Sequence, residues 1–160
     1  MIISEMQHKL ATWAVEDPTR RFNRLLRLIA NRNWLAEAAR IVLASRGAAT
    51  PGIDGIDKRK LKGDLDNRMI QLQQDLLQGT YCPQPVKRVY IQKANGKLRP
   101  LGIPTLTDRI IQRAMLMVME PIWESDFHRC SYGFRPERSV HHAVRTVKLQ
   151  LQDGTDPKGR

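Results

Sequence analysis

The feature that most constrains the fold is a short segment in which apolar residues alternate instead of recurring at helical spacing. Residues 86–93 alternate and are rich in β-branched and aromatic side chains, Asn95-Gly96 is a typical two-residue turn, and residues 97–103 form a return strand. Pro100 cannot donate a hydrogen bond to a neighbouring strand, which favours an edge position. The sequence therefore predicts one exposed antiparallel hairpin.

Helical patterns surround this hairpin on both sides. Apolar residues at helical spacing predict helices at residues 17–29, 34–43, 58–78, 108–120 and 140–152. We expect Asp17, Asp57 and Ser139 to cap three of these helices, because their short polar side chains accept hydrogen bonds from free backbone N–H groups. Gly79 and Pro121 are expected to end two of them. The predicted fold class is α+β and mostly helical.

The charge of the chain indicates a polyanionic partner. Lys and Arg number 27 against 16 Asp and Glu, a formal net charge of +11. Such an excess repels itself unless an anion is near, so nucleic acid is the expected partner. An anionic membrane is the weaker alternative, because the positive charge is spread over the predicted helices and strands. No segment approaches the roughly 20 apolar residues that a spanning helix needs.

The cysteines and histidines give no sign of a metal site or a disulfide framework. Cys82 and Cys130 do not form a Cys-x-x-Cys motif, and the histidines fit no standard zinc spacing. Asp54 lies in a turn between two glycines, where an aspartate is more often structural than a ligand. We therefore expect a cytoplasmic protein, in a compartment that keeps thiols reduced, with no metal bound by this chain.

Positive charge is concentrated in and after the hairpin. Residues 87–113 contain seven Lys and Arg side chains against a single acid, Asp108. A ribbon with such side chains near its tip could hold a triphosphate or a nucleic-acid backbone, since Arg offers a planar fork and Lys a compact charge. The alternative is an edge strand that charge protects from pairing with other chains. Composition alone leaves both open.

Several ordered blocks of the sequence resemble group II intron reverse transcriptases. Residues 89–104 (VYIQKANGKLRPLGIP) are similar to the fingers hairpin of that family, and residues 105–114 continue the match without a gap. Residues 131–136 (SYGFRP) resemble the next block, and residues 50–55 (TPGIDG) the one before. The resemblance covers about residues 10–152. It implies an RNA-directed DNA polymerase that also assists splicing as a maturase.

The resemblance also implies an architecture and a set of partners. It predicts the mostly helical fingers and early palm of a right-hand reverse transcriptase, with the basic hairpin in the fingers. Residues 17–152 would form this incomplete domain, after an N-terminal extension at 1–16 and before a polar tail at 153–160. The implied partners are intron or template RNA, primer DNA and a deoxynucleoside triphosphate, with no membrane.

By position in the family motif, Lys93 and Arg99 would contact the phosphates of the incoming nucleotide. A two-residue turn at Asn95-Gly96 would send these two cations to opposite faces of the ribbon. Either the ribbon is bulged or twisted near its tip, or one of the two assignments is wrong. Further nucleic-acid contacts are expected from Arg20, Arg24, Arg27, Lys87, Arg88, Lys97 and Arg135. A solvated basic residue is the alternative for the first helix, and a loop that plugs the core is the alternative for residues 131–136.

The family's catalytic residues are expected to be missing. Its polymerisation needs two Mg²⁺ ions held by carboxylates, from an aspartate early in the palm and a later Tyr-x-Asp-Asp turn. The 160 residues contain no Asp-Asp pair. We therefore expect a fragment without catalytic residues that is inactive as a polymerase on its own, with Mg²⁺ belonging to the full-length family members. The alternative is a non-enzymatic module that binds intron RNA, or a degenerate remnant.

Overall fold

The computed structural model describes residues 2–152, and the predicted polar tail at 153–160 lies outside them. The described residues form helices and one antiparallel hairpin, which agrees with the predicted α+β class. The helices are α1 (Ile3–Glu16), α2 (Leu25–Ile29), α3 (Arg32–Ala44), α4 (Lys58–Gly63), α5 (Leu65–Gln78), α6 (Leu106–Trp123) and α7 (Val140–Gln152). The strands are β1 (Lys87–Gln92) and β2 (Leu98–Ile103), and a 3-10 turn spans Arg46–Ala49.

The core forms where α3 packs against α6, with α1, α2 and α5 around this pair. Trp34 of α3 is completely buried, and its indole N–H donates to the carbonyl of Ala114 on α6 at 3.1 Å. Leu35 and Ile110 are also completely buried. Burying such an aliphatic side chain stabilises the fold by about 1.5–3 kcal/mol. The hairpin lies outside this core and is exposed along almost its whole length.

The start of α6 is fixed by a buried polar cluster. Thr105 is the N-cap, and its hydroxyl accepts a hydrogen bond from the backbone N–H of Asp108 at 3.1 Å. The Asp108 carboxylate accepts in turn from the hydroxyls of Thr105 and Tyr81. Burial, together with the Asp108 carboxylate, raises the pKa of the Tyr81 hydroxyl well above its ordinary value. The helix therefore begins at Leu106, two residues before the predicted start.

The prediction that Pro121 ends this helix is wrong, since α6 continues to Trp123. Proline lacks the N–H that would bond to the carbonyl four residues earlier, which is that of Met117. In this protein the side-chain amide of Gln7, on α1, donates to that carbonyl at 2.9 Å. The contact between α1 and α6 thus replaces the hydrogen bond that proline removes.

The prediction of a helix at residues 17–29 is wrong for residues 17–24 and confirmed only for Leu25–Ile29. Asp17 follows the end of α1, and its carboxylate accepts from the backbone N–H and hydroxyl of Thr19 instead of capping a new helix. Residues 18–24 are not helical, and α2 is only five residues long. The predicted N-terminal extension is mostly helix α1, whose Leu10 is buried in the core.

The other helix ends follow local sequence signals more closely. Asp57 caps α4 by accepting from the N–H of Lys60 at 2.9 Å, and Gly79 ends α5 in a left-handed conformation, both as predicted. The predicted single helix over 58–78 is divided at Asp64. Ser139 accepts from the N–H of His142 at the start of α7, as predicted. Within residues 2–152, no helix is both long and apolar enough to cross a membrane.

Candidate nucleic-acid interface

The hairpin closes with a bulged turn instead of the predicted two-residue turn. The N–H of Gly96 donates to the carbonyl of Lys93 at 2.9 Å, and the N–H of Lys93 donates to the carbonyl of Lys97 at 2.8 Å. Three residues therefore lie between Lys93 and Lys97. Gly96 has φ +78°, a left-handed conformation that glycine adopts without steric cost. This combination is a type I turn followed by a bulge.

The bulge changes the register and with it the faces on which the cations lie. The strands pair Gln92 with Leu98 and Ile91 with Arg99. Because side chains alternate along a strand, Arg99 shares a face with Ile91 and therefore with Lys93, two residues further on. The conflict in the sequence analysis is thus resolved by the extra turn residue. The two cations for which the family motif predicts phosphate contacts lie on one face of the ribbon.

The remaining basic residues of the hairpin divide between its two faces. The register places Lys87 and Lys97 on the face of Arg99, and Arg88 on the opposite face. The basic side chains of the hairpin are all exposed: Lys87, Arg88, Lys93, Lys97 and Arg99. None of them takes part in an ion pair within the described part of the chain. Their charge is therefore not neutralised by a carboxylate among those residues.

One further arginine near the hairpin, Arg109, has a structural role that the charge count did not reveal. Arg109 donates to the carbonyls of Pro104, Gly47 and Thr50, and so ties the 50–55 loop to the start of α6. In that loop Gly52 packs so closely that an added Cβ would lie 2.7 Å from the Cα of Thr105. The charge available to a ligand is therefore smaller than the sequence count suggested.

A second basic region lies near the N-terminus. Arg20, Arg24 and Arg27 do not belong to one helix, because only Arg27 lies in α2. The loop after α1 nevertheless brings all three to the rim of one cavity of about 390 Å³. Trp13 and Phe22 also line this cavity, and the Arg20 guanidinium lies 4.7 Å from the centre of the Trp13 ring.

The aromatic side of this cavity does not follow from the sequence predictions. Trp13 lies in the predicted N-terminal extension, and Phe22 lies within the predicted helix at 17–29. A usable signal was present, since Phe22 stands directly between basic residues in the run Arg20-Arg21-Phe22-Asn23-Arg24. An aromatic ring among arginines is typical of surfaces that bind nucleic acid.

Arg135 points inward and is only 9% exposed. Its Nε and Nη2 donate to the carboxylate of Glu124, with the shortest bond at 2.6 Å. Its Nη1 donates to the carbonyls of His128 and Ser131 at 3.0 and 2.9 Å. All three nitrogens of this buried guanidinium thus donate to groups of the protein itself. The geometry favours the structural alternative, in which Arg135 holds the loop in place.

The candidate metal ligands lie apart from one another. Among residues 2–152, no three His, Cys, Asp or Glu side chains come together in a way that could hold a metal ion. The carboxylate of Asp54 accepts from the N–H of Ile56 at 3.1 Å, which is a structural turn contact. We therefore assign no Mg²⁺ ligand in this part of the chain.

Comparisons with known proteins give several relatives, although no family model matches the chain. The protein YkfC of Escherichia coli is 67% identical over 160 residues, which is the whole of this chain and 42% of YkfC. The group II intron-encoded protein LtrA of Lactococcus lactis is 42% identical over 136 residues, which is 81% of this chain and 21% of LtrA. An uncharacterised 91 kDa protein in the cob intron of Schizosaccharomyces pombe is 32% identical over 121 residues, or 74% of this chain and 14% of that protein.

The chain spans less than half the length of each of these relatives. Two shorter matches are to nuclear intron maturases of Arabidopsis thaliana, at 40% identity over 58 residues and 46% over 41. The matches with intron-encoded proteins cover most of the described core and the hairpin. Over about four fifths of its length, the chain belongs to the family of group II intron-encoded proteins and maturases.

Proposed function

We propose that these residues are the RNA- and nucleotide-binding fingers and early palm of a group II intron reverse transcriptase. The observation that carries this proposal is the hairpin register, which gives Lys93 and Arg99 a common exposed face. Lys97 lies on the same face and adds a third positive charge. Relatives whose names identify them as intron-encoded proteins and intron maturases support the same reading, with intron RNA as the partner.

The geometry suits a triphosphate. Arg99 lies diagonally across the ribbon from Lys93, two residues beyond Lys97, and such diagonal neighbours have backbones about 7–8 Å apart. Both side chains are long enough to converge on one chain of phosphates from that distance. Arg99 can take two phosphate oxygens with its planar fork, while Lys93 supplies a compact charge. In the intact enzyme the ribbon would hold the nucleotide over the template and primer DNA.

The proposal does not extend to catalysis by these residues alone. Two bound Mg²⁺ ions would activate the primer hydroxyl and stabilise the leaving pyrophosphate. The sequence contains no Asp-Asp pair, and the described residues offer no cluster of ligands. We expect no extension of a DNA primer on an RNA template by the 160-residue chain, with Mg²⁺ and deoxynucleotides supplied. Measurable extension would contradict this part of the proposal.

Nucleotide binding is tested by three matched variants of the hairpin. Lys93→Ala and Arg99→Ala should each weaken the binding of a deoxynucleoside triphosphate by about tenfold, since each removes a charge-assisted hydrogen bond. Arg88→Ala removes the same kind of charge from the opposite face and should have a much smaller effect. Isothermal titration calorimetry measures all three affinities. Equal losses for the three variants would indicate nonspecific attraction and would refute the site.

A second candidate function is a non-enzymatic module that binds intron RNA. The cavity formed by Trp13, Phe22 and the N-terminal arginines favours it, because this region is separate from the hairpin. In that case Arg20→Ala and Arg27→Ala should weaken RNA binding more than Lys93→Ala does. Fluorescence anisotropy with labelled RNA at several salt concentrations distinguishes the two candidates, since each lost phosphate contact lowers the salt dependence of binding.

A further inference from the structure

Phe134 is held in an unusual position, which the hairpin site does not explain. The residue is fully exposed, so its ring makes almost no contact with the rest of the protein. Its backbone has φ +57°, in the left-handed region that residues other than glycine rarely adopt. A large aromatic ring thus lies in water, on a residue whose backbone conformation is itself unfavourable. Such outliers are most common at functional sites.

The loop around Phe134 is fixed in place by its neighbours. The next residue, Arg135, is buried and bonded to Glu124 and to two loop carbonyls. On the far side, Nη1 of Arg138 donates to the carbonyl of Arg129 at 2.7 Å. These bonds hold both ends of the loop and so restrain the backbone on either side of Phe134.

The loop also joins the helix that follows it. The hydroxyl of Tyr132 is hydrogen bonded to that of Thr146 on α7 at 2.6 Å. The guanidinium of Arg138 lies 5.4 Å from the centre of the Tyr132 ring. The backbone that carries Phe134 is therefore ordered before binding, which lowers the entropy cost of presenting its ring to a ligand.

The segment that carries the ring is basic in sequence. Residues 128–138 contain Arg129, Arg135 and Arg138 against one acid, Glu137, and of these arginines Arg135 is buried and paired with Glu124. The side chain of Arg129 is exposed and forms no ion pair within the described residues. An exposed aromatic ring beside cations suits an unpaired nucleobase and its phosphate, because every base presents a π-face for stacking.

We propose that Phe134 is a stacking platform for an unpaired base of the bound RNA strand. The inference rests on the proposed function for the identity of the polymer as RNA. It adds a contact that depends on an unstacked base and not on phosphate charge. In duplex RNA the internal bases are already stacked on each other, so the platform should distinguish single strands from duplexes.

The test uses the 160-residue chain and a single-stranded RNA that contains 2-aminopurine, whose fluorescence falls when it stacks. Phe134→Ala should weaken this binding about 5- to 100-fold and abolish the quenching, with little effect on duplex RNA. Because no charge is removed, the loss should be the same at low and high salt. Phe134→Trp should retain binding and quenching. Val140→Ala, which shortens another apolar side chain that is 77% exposed, is the matched control and should change nothing.

Two further variants separate stacking from other roles of the side chain. Phe134→Leu keeps apolar bulk but has no π-system, and should bind as weakly as Phe134→Ala. Phe134→Gly relieves the left-handed conformation, so its melting temperature should equal or exceed that of the wild type while its RNA affinity falls. The RNA affinity would then fall without any loss of thermal stability, a combination that unfolding of the variant cannot produce.

The outcomes distinguish this inference from the proposed function. If the wild type binds RNA and Phe134→Ala binds equally well, the stacking role is overturned and the proposed function stands. If Phe134→Leu binds as the wild type does, the ring makes a general apolar contact and stacking is again overturned. If the wild type binds no RNA, the proposed function fails, and the stacking role fails with it.

Discussion

Gln7 offers a way to test how this fold tolerates a proline within its central helix. Its side-chain amide donates at 2.9 Å to the Met117 carbonyl, which Pro121 leaves without its helical partner. Gln7→Ala would leave that carbonyl unsatisfied in a partly buried position. An unsatisfied buried group costs about 1–3 kcal/mol, and partial exposure places this one near 1–2 kcal/mol. For a chain of this length the melting temperature should fall by roughly 2–8 °C.

A double-mutant cycle identifies the cause of that loss. Pro121→Ala restores the backbone N–H, so Met117 regains its helical hydrogen bond and Gln7→Ala should then cost much less. Gln74→Ala is the matched control, because Gln74 is an exposed helix residue on α5 and its replacement should change stability by less than about 0.5 kcal/mol. Urea unfolding followed by circular dichroism gives each free energy. If Gln7→Ala lowered the free energy of unfolding equally in the wild-type and Pro121→Ala backgrounds, the reasoning would be refuted.

Three other predictions concern the loop, the close contact at Gly52 and alkaline pH. Arg135→Ala should destabilise the fold by about 3 kcal/mol in urea unfolding, because Glu124 and two carbonyls lose their partner. Arg135→Lys should be destabilised as well, since an ammonium group cannot form the same forked set of hydrogen bonds. Gly52→Ala should cost about 1–3 kcal/mol by the same assay, because its Cβ would overlap the Thr105 backbone, whereas Gly63→Ala meets open space and should not be destabilising. The pKa of Tyr81 is higher in the folded chain than in the unfolded chain, so the unfolded chain loses the hydroxyl proton at lower pH. The contribution of Tyr81 to stability should therefore be complete below about pH 10 and lost at higher pH. Tyr81→Phe should show a smaller loss of stability at alkaline pH. No effect of Arg135→Ala, equal effects of the two glycine substitutions, or identical alkaline profiles for Tyr81→Phe and wild type would contradict the respective prediction.

The parts of the fold that sequence predicts well are those decided by local chemistry. Asp57 and Gly79 satisfy backbone groups within a few residues of themselves, so their roles as cap and stop follow from sequence. Asp17-Pro18 has the same local chemistry as a helix start, yet here it follows a helix end. That choice depends on the packing of Leu10 in the core, which the local sequence does not reveal.

The errors at the site have a similar origin. Gly96 fits both a two-residue turn and a bulged turn, and only the strand pairing shows that Lys93 and Arg99 share a face. Pro121 is accommodated by Gln7, which lies more than a hundred residues away from it in sequence. Charge counting gave Arg109 and Arg135 the same weight as the hairpin residues, although both are bonded to internal carbonyls. Sequence thus predicted which segment is basic but not which cations are available.

The central claim is that Lys93 and Arg99 act together on one ligand because the bulged turn places them on one face. The most direct test is a double-mutant cycle on the binding of a deoxynucleoside triphosphate, with Lys93→Ala, Arg99→Ala and the double variant. Residues that share a ligand should be coupled, so the combined loss should differ from the product of the single losses by at least about threefold. The same cycle with Lys93 and Arg88, on opposite faces, should be multiplicative. Multiplicative losses in both cycles would contradict the claim.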